Sequence, residues 1–411
     1  MAGQTSVQKM LARAAGKARL EVGEVVYPDP ELVILHDGYV ETAYRELSGL
    51  GFGRIKNPER VVFVTDHEVA YGSPRAIDRG LNIRRIAKAW QVGHFFDVGR
   101  GGHGHLFPME MGLVRPGMFL FAYDMHATNF GAIGALAMAM STEITTVLAT
   151  GSVWVPVPAT IRVNLHGAWH AGAHGRDLGF LLAAGLKSGR WGVGGDYQVI
   201  EFGGAAVAGL ATATRVALCN SVTEIGVANV LFPIAEFQSD ADARYEAIID
   251  IDLSTIEPQV ALPGGPENAA PVSAAAGQRI DHAFIGACGS SMYDDFAAAA
   301  GVMRGRRVAD GVRMFVVPGT VETAQRLATD GLSQVFMQAG AVMLPPGCGP
   351  CAGGLMAPLG PNEVSISTAA TNHVGRFGSN EAKAYLGSPL TVAASAIAGR
   401  IVDPREMLAE L

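Results

Sequence analysis

Seven apolar segments with β-strand character recur along this chain, at residues 31–38, 60–68, 118–126, 246–253, 281–289, 313–319 and 341–347. Polar or glycine-rich residues follow these segments. Alanine-rich stretches with helical character come after several of them, such as GAIGALAMAM at 131–140 and DDFAAAAGVMRG at 294–305. This order of apolar strand, polar turn and helix predicts an α/β fold.

Four of the strand segments end in polar or reactive residues. They are TDHE at 65–68, YDMH at 123–126, GACGSS at 286–291 and PPGCGPC at 345–351. In open α/β sheets, ligands bind beyond the carboxyl ends of the strands. The side chains of these four segments are therefore the candidate site residues.

Composition and charge exclude several classes of partner. The net charge of −7 argues against general affinity for nucleic acid or for anionic membranes. The N-terminus lacks the continuous apolar segment of a signal peptide. Polar residues interrupt the most apolar stretch, 131–151, after ten residues, which is too short to span a bilayer. We therefore expect a cytoplasmic protein, and there cysteines more often bind metals or catalyse reactions than form disulfides.

The four cysteines differ in their surroundings. Cys219 lies in an apolar helical pattern and is interpreted as a small buried hydrophobic residue. Cys288 follows a strand, and a serine after it is expected to cap a helix. Cys348 and Cys351 form a Cys-x-x-Cys pair in a glycine-rich turn, which alone is compatible with a redox site, a zinc site or an iron–sulfur cluster.

The surroundings of the pair favour the cluster. No helix is expected directly after the motif, whereas thioredoxin-type redox sites begin one there. A zinc site would need a fourth protein ligand. Three separated thiolates suit a four-iron cluster with one open iron. Electron carriers use four cysteines, so a missing ligand points to catalysis.

Several longer segments resemble, in order and spacing, the aconitase family. They are IGACGSSMYDDFAAAA at 285–300, PPGCGPCAGG at 345–354 and the segment 374–406, and residues 95–117 and 131–163 fit the same pattern. The most similar branch contains the large subunits of 3-isopropylmalate dehydratase and homoaconitase. The resemblance implies a [4Fe–4S] cluster held by Cys288, Cys348 and Cys351, whose open iron acts as a Lewis acid on the substrate.

The resemblance also implies acid–base residues beside the cluster. Asp66 and His67 match one carboxylate–imidazole pair, and Asp124 is expected to partner His105. A carboxylate that orients and charges an imidazole makes an effective proton donor to a leaving hydroxyl group. His126 matches a histidine near the departing oxygen.

Glu201 matches an acidic residue that hydrogen-bonds the same oxygen. Arg376 matches an arginine that grips a substrate carboxylate, for which a bidentate guanidinium is suited. Ser290 and Ser291 are assigned to substrate binding by their place beside the first cysteine. The resemblance therefore predicts a site for a small hydroxy-carboxylic acid.

Two positions depart from the family pattern. Met125 stands where the family usually has a serine that contacts a substrate carboxylate, and a thioether cannot donate that hydrogen bond. Ala370 and Thr371 stand where the family has Asn-Arg, so Thr371 takes the arginine's place among the substrate-binding residues, and Asn372 and His373 would have to replace its function. We expect a substituted malate as the substrate, because sites built for specific polar groups discriminate strongly.

The resemblance implies three α/β/α subdomains around the cluster, with boundaries placed at 1–135, 136–275 and 276–411. The swivel domain of the family is expected to be a separate small subunit, which supplies a serine base and a further arginine. The predicted function is that of a hydro-lyase or isomerase large subunit. The alternatives are a non-catalytic relative that senses iron or binds RNA, and a structural zinc protein.

Overall fold

The predicted α/β class is confirmed by a computed structural model, which describes residues 3–408. Every predicted strand segment contains a strand. The strands are β1 Val25–Val26, β2 Leu32–His36, β3 Val61–Val64, β4 His94–Phe96, β5 Phe119–Tyr123, β6 Leu136–Met140, β7 Val155–Pro156, β8 Thr160–His166, β9 Val199–Gly203, β10 Asn229–Leu231, β11 Ala247–Asp252, β12 Gln259–Ala261, β13 Ala269–Pro271, β14 His282–Ile285, β15 Arg313–Val316, β16 Val342–Met343, β17 Val364–Ser367 and β18 Lys383–Gly387.

The helices lie mostly between strands of the parallel sheets. They are α1 Ser6–Ala14, α2 Asp37–Gly49, α3 Pro74–Trp90, α4 Phe107–Glu110, α5 Ile144–Thr150, α6 Gly175–Lys187, α7 Thr212–Ser221, α8 Tyr293–Met303, α9 Val321–Thr329, α10 Leu332–Ala339, α11 Pro389–Ala398 and α12 Pro404–Leu408. Within residues 3–408, no helix combines the length and the apolarity needed to cross a lipid bilayer.

Two local predictions are wrong. GAIGALAMAM is not a helix: a 3₁₀ segment ends at Ile133, and β6 follows. Alanine favours helix, but β6 gains a parallel ladder with β5 from Phe119–Leu136 to Tyr123–Met140, and this tertiary pairing overrides the propensity. The predicted helix after the first cysteine is α8, but Met292 and not a serine is its N-cap residue.

The first of two compact units comprises residues up to 165 together with 191–207 and 226–251. It contains a parallel five-stranded sheet in the order β4-β3-β2-β5-β6. The chain builds outward from β2 through β3 and β4, and then continues on the other side with β5 and β6. The carboxyl ends of β3, β2 and β5 therefore meet at a switch point, where α/β sheets place ligands. A four-stranded sheet, β10-β9-β8-β11, belongs to the same unit.

The second unit comprises residues 166–190, 208–225 and those from 252 onward. Its seven-stranded sheet has the order β13-β12-β18-β17-β14-β15-β16, and the five strands from β18 to β16 are parallel. Phe284, Phe296 and Phe336 are fully buried in its interior. The three larger sheets of the chain fall within residues 32–140, 160–252 and 259–387. The division into three subdomains at 135 and 275 stays a prediction.

Candidate active site

A hydrogen-bonded network lies at the switch point of the first unit and is centred on Asp66, which is fully buried. Its Oδ2 accepts a hydrogen bond from His36 Nδ1 at 2.7 Å and one from Gly104 N at 2.8 Å. Its Oδ1 accepts from His67 Nδ1 at 2.7 Å. Burial opposes ionisation of Asp66, but the charges of His36 and His67 outweigh it and hold its pKa well below the ordinary value.

His67 lies between two carboxylates. Its Nδ1 is 2.7 Å from Asp66 Oδ1 and 2.9 Å from Asp37 Oδ1, and its backbone N–H also donates to Asp37. Burial disfavours the charged imidazole, but the two carboxylates outweigh it and raise the pKa of His67 well above the ordinary value. His67 is therefore protonated at neutral pH, and part of its side chain reaches the surface, with 27% exposed.

A chain of three groups leads from Asp66 to a buried ring nitrogen. Asp66 accepts from Nδ1 of His36, and the opposite nitrogen of His36 lies 2.9 Å from His105 Nε2, within hydrogen-bond distance. Burial, followed by the charge of His36, lowers the pKa of His105 well below the ordinary value, so its ring is neutral. His105 Nδ1 is buried, and no group within residues 3–408 forms a hydrogen bond with it.

A glycine makes this chain possible. A Cβ atom at Gly104 would lie 2.6 Å from Cε1 of His36, so a larger residue would displace the ring. The Gly104 N–H also donates to Asp66. The HGH motif therefore supplies His105, a close approach to His36 and a donor to the central carboxylate.

Asp124 forms its hydrogen bonds with His126, while its charge also acts on His105 without a hydrogen bond between the two within residues 3–408. The predicted Asp124–His105 pair stays a prediction. Asp124 has a φ of 83°, and its Oδ1 accepts from both the backbone N–H of His126, at 2.8 Å, and its Nδ1, at 2.7 Å. This tight local turn leaves His105 to bond His36. Burial opposes the charge on Asp124, but His126 outweighs it and holds the pKa of Asp124 well below the ordinary value. Met125 lies between the two and is 40% exposed.

Glu201 lies in β9 with a set of partners of its own. Its Oε1 accepts from Arg162 Nη1 at 2.5 Å and from Tyr245 Oη at 3.1 Å. Ser239 Oγ donates at 2.8 Å, and the backbone N–H of Ser6 at 3.3 Å. These bonds satisfy a fully buried carboxylate. The structure therefore does not bring Glu201 into the histidine network.

The second unit brings together the other predicted residues. Cys288 follows β14, and Cys348 and Cys351 flank a 3₁₀ turn after β16, with β15 between the two strands. All three are buried thiols. Gly349, between the paired cysteines, has a φ of 62°, which favours glycine.

The spacing of the three sulfur atoms does not match a single metal ion. In the part of the chain that the structure describes, the three thiols do not all lie within 4.8 Å of one another. Four sulfur ligands around one zinc ion at about 2.3 Å are separated by roughly 3.8 Å. The wider spacing fits a larger group. Cys219, by contrast, is buried in α7, and burial raises its pKa, as expected for a structural cysteine.

Polar donors surround the cysteine sulfurs. Asn220 Nδ2 donates to Cys288 Sγ at 3.1 Å. Arg376 Nη2 lies 3.8 Å from Cys351 Sγ, so this predicted substrate residue is beside the cysteines. Hydrogen bonds to sulfur are a feature of iron–sulfur sites, where they adjust the electronic properties of the cluster. The donor set therefore fits a cluster.

The remaining predicted substrate residues divide into two groups. Ser291 and Thr371 are buried, and the structure gives their hydroxyl groups no hydrogen-bond partner within residues 3–408. Ser290 Oγ donates to the backbone carbonyl of Gly289 at 2.7 Å. Asn372 Nδ2 donates to the carbonyls of Leu262 and Ala384 at 2.9 and 2.8 Å, so its amide N–H groups are occupied and cannot replace a carboxylate-binding arginine.

His373 was the other residue suggested as a replacement for the missing arginine, and both of its ring nitrogens have protein partners. Its Nδ1 donates to the carbonyl of Gly264 at 2.8 Å. Its Nε2 lies 3.4 Å from Glu224 Oε2. Neither His373 nor the preceding asparagine therefore presents an unengaged cation to a substrate.

Sequence reasoning missed four residues of these networks. His36 and Asp37 end the strand segment 31–38 in the same way as Asp66 and His67 end the next, and this pattern could have identified them. Asn220 and Arg176 reach the cysteine region from helices α7 and α6 of the same unit. Nothing in the sequence near the cysteines indicates these two.

Comparison with known proteins places these features in a family. The 3-isopropylmalate dehydratase large subunit 1 of Methanopyrus kandleri is 36% identical over 423 residues, covering 99% of this chain and 100% of the relative. The 3-isopropylmalate dehydratase large subunit of Moorella thermoacetica is 37% identical over 424 residues, with 99% and 100% covered.

A solved structure shares the fold. The holo-form of Thermococcus kodakaraensis aconitase X superposes with a TM-score of 0.53 over 89% of each chain at 11% identity. The model of the Aconitase family (aconitate hydratase) matches residues 14–236 and 273–399. These matches confirm the resemblance on which the sequence interpretation relied. The chain belongs to the aconitase family of hydro-lyases.

Proposed function

We propose that this chain is the large subunit of a hydro-lyase that removes water from a substituted malate and holds a [4Fe–4S] cluster through Cys288, Cys348 and Cys351. One observation carries the proposal: three buried thiols follow strands β14 and β16 of one parallel sheet, with polar donors beside two of the sulfurs. Enzymes of this family generally use an iron–sulfur cluster. When bound, the cluster supplies a Lewis acid that makes hydroxide a better leaving group.

The histidine network supplies the proton chemistry. Dehydration breaks a C–O bond, removes a proton from the neighbouring carbon and leaves an alkene, so a proton must be delivered to the departing oxygen. His67 is held protonated by Asp66 and Asp37 and acts as this general acid. The buried Nδ1 of His105, which has no hydrogen-bond partner within residues 3–408, is available to form a hydrogen bond with a substrate hydroxyl or carboxyl group.

The substrate preference follows from side chains that lack a positive charge or a hydroxyl donor. Met125 presents an exposed thioether, and Thr371 and Asn372 offer no cation. Among the predicted substrate residues, Arg376 carries the positive charge that can bind a carboxylate. We therefore propose a malate with an apolar substituent, because an apolar group fits beside methionine.

A separate small subunit completes the proposed enzyme. The relatives in Methanopyrus kandleri and Moorella thermoacetica are named as large subunits. The partner supplies the base that removes the carbon-bound proton. We expect little activity from the large subunit alone.

The test is a substrate panel with the reconstituted enzyme. The chain is purified without oxygen, loaded with iron and sulfide, and combined with a small swivel-type subunit, for which the neighbouring genes are searched. Malates with methyl, dimethyl and isopropyl substituents are then assayed by the absorbance of the conjugated alkene. Turnover of at least one of them supports the proposal. Failure of the loaded pair to act on any of them would overturn it.

A variant tests the substrate assignment. Met125→Ser restores a hydroxyl donor, so relative kcat/KM is expected to move from the alkyl-substituted substrate towards a more polar malate. A change of about 10-fold or more fits a single contact of this kind. An unchanged order of substrates would show that Met125 does not set the preference.

A further inference from the structure

Arg176 is a fully buried arginine in the first turn of α6. A positive charge is disfavoured there, because the helix dipole is positive at its N-terminus. Burial lowers the pKa of Arg176 to about 10, so the guanidinium remains charged at neutral pH. A buried charge in this position needs an anionic partner.

Few groups of the protein stabilise the positive charge of Arg176. Its Nη2 donates to the carbonyl of Ala369 at 2.6 Å, and its guanidinium lies 4.9 Å from the ring centroid of Phe180. Nε and Nη1 are buried and have no hydrogen-bond partner within residues 3–408. No carboxylate in those residues forms an ion pair with it. The charge therefore has unused donors and no direct counter-ion.

The nearby carboxylates have other partners. Asp177 accepts from the backbone N–H groups of Gln259 and His174, each at 2.8 Å, and burial raises its pKa to about 7. Asp295 accepts from the N–H of Met292 at 3.0 Å and lies 3.3 Å from His174 Nε2. Their charges act on Arg176 from a distance, but neither forms an ion pair with its guanidinium within residues 3–408.

The unused donors of Arg176 lie beside the cysteines. A Cβ atom at Gly289 would be 2.3 Å from Arg176 Nη1 and 2.2 Å from Asn220 Oδ1, so both side chains pack against the backbone that follows Cys288. After burial, the groups that act on the charge of Arg176 are Cys288, Asp295, Asp177 and Cys351, in that order, so a cysteine of the predicted cluster is the first of them. The anion that the guanidinium lacks is therefore expected at the three thiols.

We propose that Arg176 is the buried counter-charge of the iron–sulfur cluster, holding the thiolate-ligated cluster in place and raising its reduction potential. This inference rests on the proposed function, because it requires the cluster. Arg176 is a positioning residue that acts through the cluster and not on the substrate. Removing its charge disfavours the more negative, reduced cluster, so the potential should fall.

The test compares Arg176→Gln with the charge-conserving Arg176→Lys in protein purified and loaded without oxygen. Two properties are measured: the rate of iron release to a chelator and the midpoint potential of the cluster. For Arg176→Gln, we expect iron release to be roughly 10- to 100-fold faster, as for other residues that support metal ligands, and a more negative potential. Arg176→Lys should stay close to the wild type in both.

Unfolding of the cluster-free proteins separates this role from a structural one. Without the cluster, Arg176 is an uncompensated buried charge, so cluster-free Arg176→Gln should be at least as stable as cluster-free wild type. A lower stability, together with unchanged release rate and potential, would show a structural residue and overturn the inference. A wild-type chain that takes up no cluster would overturn both the inference and the proposed function.

Discussion

Replacing Asp37 by asparagine tests whether two carboxylates hold the proton on His67. The asparagine side chain would keep an oxygen for the backbone N–H groups of His67 and Glu68, which now donate to Asp37 at 3.2 and 3.0 Å. It would lose the charge that lies 2.9 Å from His67 Nδ1. A hydrogen bond to a charged group contributes about 1.5–3 kcal/mol. The variant should therefore lose roughly this much stability while His67 is charged.

The loss should depend on pH with a defined sign. His67 has a raised pKa in the folded protein, so its stabilisation is fully present below the unfolded value of about 6.5 and disappears as the pH rises through the folded value. The destabilisation by Asp37→Asn should therefore be largest near pH 6 and shrink towards pH 9. The pKa of His67 itself should fall in the variant.

Urea denaturation at several pH values, followed by tryptophan fluorescence, measures the first effect, and histidine NMR measures the second. Glu41→Gln is a matched control, because Glu41 lies on the same helix, forms a 3.9 Å surface pair with Arg79 and does not contact His67. It should change stability by less than about 1 kcal/mol at every pH. A destabilisation by Asp37→Asn that is constant or increases with pH would refute the account.

Three further substitutions test the partners of Glu201 and the space around two glycines. Glu201→Gln should lower the free energy of unfolding by roughly 3–5 kcal/mol, because it leaves Arg162 without its buried, charged partner. The cluster content of the variant should stay unchanged. Equal stability of variant and wild type in urea would contradict this assignment. Gly131→Ala should destabilise by at least about 1–3 kcal/mol, since its Cβ would lie 1.6 Å from the carbonyl oxygen of Val230. Gly301→Ala, in open space on α8, should instead stabilise by about 0.5–1 kcal/mol, and thermal melts compare the pair.

The sequence was sufficient to predict the α/β class and the strand ends that carry Asp66, His67 and the cysteines. These predictions depend on apolar runs, which are local signals, and on the rule that ligands bind beyond the carboxyl ends of parallel strands. The strand β6 was missed because alanine and methionine favour helix, whereas the secondary structure of this segment is set by its pairing with β5.

The partners within the site could not be predicted in the same way. The φ of 83° at Asp124 turns its carboxylate to His126, and no residue type near it specifies that turn. Glu201 was assigned by resemblance, but Arg162 on the neighbouring strand β8 takes its carboxylate. Arg176 reaches the cysteine region from more than 100 positions away in the chain. Such contacts depend on tertiary packing and leave no local pattern.

The measurement that tests the central claim most directly is the iron and sulfide content of the chain purified without oxygen. It is compared with that of Cys288→Ser and of Cys219→Ser, a control at the buried cysteine in α7. The account predicts about four irons and four sulfides per chain, lost in Cys288→Ser and retained in Cys219→Ser. Zinc, no metal, or an equal loss in both variants would contradict a cluster held by Cys288, Cys348 and Cys351.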